Sequence, residues 1–153
     1  MATEFDTELD SIFSDREARN AKALQEVARQ TAATASFTQA WDQLRANVVV
    51  PVFKQAARAL ARRGVTADIG ELDQGVCLYF HVNAVRSARG RPHDGQPYLA
   101  VLADANTQLV SFERNRSGVG RGDEIGELPL DKVDADSVKA RLLTLIRELF
   151  SDR

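Results

Sequence analysis

Cysteine is all but absent from this 153-residue chain, with Cys77 the single one. No intrachain disulfide can form, which fits a reducing compartment. Histidine is nearly as scarce: His81 and His93 stand far apart, and no His-x-x-His, Cys-x-x-Cys or His-Glu-x-x-His spacing occurs. Zinc takes three or four Cys, His or carboxylate ligands, so no metal site is assigned, and no cofactor. Long apolar runs are missing. None approaches the roughly 20 residues that cross a bilayer. The acidic opening Met-Ala-Thr-Glu-Phe-Asp lacks the basic and apolar regions of a secretory leader. No membrane contact and a cytoplasmic location are therefore expected. A large charge of one sign is lacking too; the formal net charge of -2 argues against a whole-molecule polyanion binder.

What is present is an ordinary apolar content of 44%, enough for a domain with a real core. The stretch from Ser36 to Gly64 carries the single tryptophan. Phe37, Trp41, Leu44, Val48, Val52, Ala56 and Leu60 recur there at steps of three or four, which places them on one helical stripe. Ser36 and Gln39 have capping-box spacing, and Gly64 follows Arg62 and Arg63 as a C-terminal cap. Pro51 lacks an N–H and crowds the carbonyl of Asn47, so it is expected to kink this helix.

Ahead of it, Asp6 to Gln30 reads as a separate, strongly charged helix with Leu9, Ile12, Phe13, Ala21, Leu24, Val27 and Ala28 on one side. Thr31 to Ala35 reads as a short connection. After Gly64 the period falls to two. Strands are expected over 65–72, 76–82, 98–103 and 108–114, with the third in the middle of the sheet. A last helix begins at Asp136 or Ser137 and uses Val138, Leu142, Leu145, Ile146, Leu149 and Phe150. The expected fold is α+β: two N-terminal helices, a four-stranded antiparallel sheet and one C-terminal helix, with the long and last helices on one sheet face. The division is an acidic helical arm, 1–35, and a single domain, 36–153.

Three surfaces hold candidate chemistry. His81 shares a strand face with Tyr79 and Cys77, but a nucleophile and base also need an orienting group and an oxyanion site, so a small enzyme centred on His81 is a subordinate reading. The loop 84–96 carries Arg86, Arg89 and Arg91, and the loop 114–124 carries Arg114, Arg116 and Arg121; together they make a candidate anion site, hence an alternative as a nucleic-acid accessory protein. Neither loop has the stacking aromatics of a single-strand binder. Glycines 118, 120, 122 and 126 lack the strand–loop–helix setting of a phosphate cradle, and the segment 115–127 reads as a mobile hairpin or connecting loop. The third surface is the N-terminal helix. The leading expectation is a non-catalytic interaction module that binds itself, as a homodimer, or a protein partner through Leu9, Ile12, Phe13 and Leu24 or through a sheet edge.

Overall fold

A computed structural model of the chain describes residues 3–82 and 95–151. The chain divides into two units, residues 1–36 and 37–153. The architecture is α+β. Helix α1 spans Glu4–Leu44, a π-helical turn Arg45–Val49, and helix α2 Val50–Ala61. Among the described residues five strands follow: β1 Thr66–Leu72, β2 Gly75–His81, β3 Tyr98–Asp104, β4 Leu109–Asn115 and β5 Asp123–Pro129. A 3-10 turn, Leu130–Lys132, leads into helix α3, Ala135–Phe150.

The first correction concerns α1. The expected connection at Thr31–Ala35 is helical, and no helix starts at Ser36. No glycine or proline stands between Thr3 and Val50, and Ala32, Ala33 and Ala35 are strong helix formers. With nothing to break the preceding backbone, Ser36 is one more helical residue and not a cap. The cap lies at Thr3 instead. Its hydroxyl accepts from the Asp6 N–H at 3.2 Å, while the Asp6 carboxylate accepts from the Thr3 N–H at 3.3 Å.

The second correction concerns the apolar phase across Pro51. The π-turn sits just before it, and the Val50 N–H donates to the Arg45 carbonyl five residues back. The wider turn adds one residue and shifts the apolar phase. Val49, not Val48, is fully buried after Trp41, and Phe53 joins Val52 in the core. Pro51 itself lies in the first turn of α2, directly after the π-turn, where the helical hydrogen-bond ladder is already re-phased around the missing N–H.

The five strands form one antiparallel meander in the order β1-β2-β3-β4-β5, with β3 central. Val76, Leu78 and Phe80 of β2, Leu99 and Val101 of β3, and Val110 and Phe112 of β4 turn one face to the core. Val49, Phe53 and Leu60 meet them from the chain before β1; Val138, Leu142 and Leu145 meet them from α3. Asp134 caps α3 in a capping box with Ser137, so this helix begins slightly earlier than expected.

The fifth strand is the third correction, because it occupies part of the expected loop 115–127. Its pairing with β4 shifts register between Phe112 and Glu113, where Phe112 faces Gly126 and Glu113 faces Glu124. Ile125 is the extra residue of a β-bulge. That is why Ile125 and Leu128, three apart in sequence, both pack against the core. A period of two could not reveal them.

Candidate functional site

The 1–36 unit is a solvated helix with a broken apolar stripe. Ile12 (58% exposed), Phe13 (55%) and Leu24 (72%) lie open, Leu9 is partly buried, and Phe5 and Val27 are exposed as well. Sequence reasoning placed the helix start at Asp6 and so missed Phe5; the cap pair Thr3 and Asp6 was the available signal. Through residue 15 this helix carries Glu4, Asp6, Glu8, Asp10 and Asp15 and no cation. Further along, Glu26 and Arg29 form an exposed ion pair at 2.5 Å, which lowers the Glu26 carboxyl through the hydrogen bond and the charge of Arg29.

Within residues 37–153, a groove of about 480 Å³ lies between α2 and α3. Val52, Ala56 and Ala59 form one wall and Leu142, Leu143 and Ile146 the other. The groove exists because alanines stand at α2 positions where leucines would fill the space between the helices. Leu143 is half exposed at its mouth. Arg63 and Lys139 flank it, and no carboxylate lines it among the described residues.

The sheet face away from the core carries Cys77, Tyr79 and His81. Cys77 is 1% exposed, and burial pushes its thiol up to about 12, with the nearby Glu113 charge adding to the rise. Such a thiol holds negligible thiolate near neutral pH. Burial also pushes the Tyr98 phenol up to about 12, and its O–H donates to Glu113 Oε2 at 3.0 Å. Tyr98 packs against Tyr79 with ring centroids 5.8 Å apart. His81 Nε2 lies 2.7 Å from Asp68 Oδ2. His81 and Cys77 are four residues apart on β2, about 13 Å along an extended strand, so the two do not touch. Among the described residues no group of three or more His, Cys, Asp or Glu side chains could hold a metal.

The arginines divide. Arg114 Nη1 donates to Glu148 Oε1 at 2.5 Å, and Arg116 Nε stands 3.6 Å from Glu148 Oε2. The Glu148 carboxylate already balances the Arg114 charge, which disfavours a phosphate there. Arg121 is exposed in the turn between β4 and β5. Arg86, Arg89 and Arg91, like His93, lie outside the described residues. The β4–β5 turn is organised by Asn115, whose Oδ1 accepts from the Ser117 and Gly118 N–H groups at 3.1 and 2.8 Å. Its Nδ2 donates to the Gly120 carbonyl at 3.2 Å.

Among the described residues no helix is long and apolar enough to cross a membrane. The chain matches no family model, no curated protein and no solved structure.

Proposed function

We propose that the chain is a non-catalytic assembly module whose N-terminal helix binds a second copy or a protein partner. One observation carries the reading: Phe5, Ile12, Phe13, Leu24 and Val27 are all more than half exposed on a single helix. Burying a large apolar side chain contributes about 1.5–3 kcal/mol. Association costs about 4–15 kcal/mol in lost freedom. Two such residues contribute about 3–6 kcal/mol, near the bottom of that range, whereas five contribute about 7.5–15 kcal/mol. A sheet edge is the weaker route. Both outer strands are interrupted for pairing, β1 by Asp68 and Glu71, β5 by its bulge and Pro129.

Light scattering of the full chain, with and without Ile12→Asp and Leu24→Asp together, tests the reading. A dimer or larger assembly that falls to a folded monomer in the double variant is the expected result. If both proteins are monomers, and an immobilised full chain retains the same partners as the variant, the reading fails.

A further inference from the structure

We propose that the groove between α2 and α3 receives the acidic end of α1 from a second copy of this chain. The inference rests on the assembly reading and names the surface that the helix meets. The groove has apolar walls, Leu143 open at its mouth, and two cations but no carboxylate among its described lining residues. Arg63 is held there by a 2.8 Å hydrogen bond from Nη1 to the Ala59 carbonyl. Its occupant should present a short apolar helix face bordered by acids.

The first turns of α1 have that composition. Phe5, Leu9, Ile12 and Phe13 follow the i, i+4, i+7, i+8 pattern of one helix face. Glu4, Asp6, Glu8 and Asp10 border them, and Arg16 is the first cation. The lengths agree. Phe5 to Phe13 spans about 12 Å of helix, and the α3 wall from Lys139 to Ile146 spans about 10 Å. The remaining exposed pair on α1, Leu24 and Val27, sits among Lys22, Glu26 and Arg29, a mixed setting that gains nothing from a cationic rim. Each copy offers one acidic helix end and one groove. Related by a two-fold axis, two copies satisfy each other through a pair of equal contacts, and the assembly closes as a dimer.

The test uses the full chain with p-benzoylphenylalanine in place of Phe13, irradiated in an equal mixture of ¹⁴N- and ¹⁵N-labelled copies. Mixed-isotope cross-links from position 13 to Ala59, Leu143 or Ile146 are expected. Mixed-isotope links to α1 instead would show that the helices pair with each other; the groove inference falls and the assembly reading stands. Single-isotope links to the groove would mean that each chain fills its own, which overturns the inference. Absence of groove links overturns it too, and the solution mass then says whether the assembly reading falls as well. As a second measurement, Arg63→Glu with Lys139→Glu should weaken self-association about tenfold, and Glu8→Lys with Asp10→Lys in the other copy should restore it. An unchanged dissociation constant would sink the proposal.

Discussion

Arg114 on β4 and Glu148 on α3 meet at 2.5 Å, each with about a quarter of its side chain exposed. This pair ties the last helix to the sheet beyond the apolar core. At such burial solvent screens the charges only partly, and losing one partner leaves the other without compensation. Glu148→Ala should therefore destabilise by about 1.5–3 kcal/mol, the range for a hydrogen bond to a charged group. Arg114→Met with Glu148→Leu should cost less than the single change. Urea midpoints at constant slope measure both, and equal costs for the single and double variants would contradict the pairing.

Trp41 is 3% exposed and packs in the core with Phe37 and Phe53. Trp41→Ala should destabilise the 37–153 domain by about 3–5 kcal/mol. Ile12→Ala, at a position 58% exposed, should change monomer stability by no more than about 0.5 kcal/mol. Thermal melts at low protein concentration separate these effects from those of self-association. Similar losses in the two variants would mean that the division between core and surface along α1 is misplaced.

Gly118 combines two demands. Its φ is +79°, and a Cβ there would stand 2.1 Å from the Gly95 carbonyl oxygen. The obstacle is the backbone of the Gly95–Gln96 peptide, so no side chain can swing away. Gly118→Ala is expected to cost more than about 2 kcal/mol, strain and clash together. Gly120 is also left-handed, with open space around it, and the alanine variant there should lose only about 1 kcal/mol. Chemical denaturation of the two variants side by side checks the ranking.

Cys77 and Tyr98 lean the same way with pH. Both hold their protons more firmly when folded, and each is pushed up to about 12. Above the ordinary cysteine range the unfolded chain gives up these protons first, so unfolding is favoured as pH rises. Stability should be flat with respect to these groups below about pH 8 and decline between about pH 9 and 12. Cys77→Ala should reduce that slope. Native Cys77 should also react slowly with a disulfide reagent at pH 8 and rapidly in denaturant. Immediate labelling of the native protein would show the thiol to be accessible.

Much of this fold was legible because its signals are local. The alternation Val76, Leu78, Phe80 against Cys77, Tyr79, His81 gave β2 its faces, and the three- and four-residue spacing of Val138, Leu142 and Leu145 gave α3 its buried side. Two of the failures share a cause: one inserted residue resets the count. The π-turn before Pro51 moves burial from Val48 to Val49, and the bulge at Ile125 hides β5 from any strict period. The candidate surfaces were legible in part. Exposed Ile12, Phe13 and Leu24 could be picked from the sequence because their flanks are charged. The α2/α3 groove could not, since it depends on alanines of one helix facing leucines of another. Nor could the engagement of Arg114, whose partner Glu148 lies 34 positions away.

Every strand after β1 pairs with the strand made just before it, and the turns between most of them are short. The contacts that build the sheet are therefore close in sequence, and loop-closure entropy charges little for them. As the chain leaves the ribosome, each new edge can be covered by the next strand synthesised, without waiting for a distant segment. Helix α3 arrives last, placing the Arg141 guanidinium 3.9 Å above the Phe112 ring and covering the core face at β4. A released chain ending before residue 135 would hold all five strands with that apolar face at β4 left uncovered by α3.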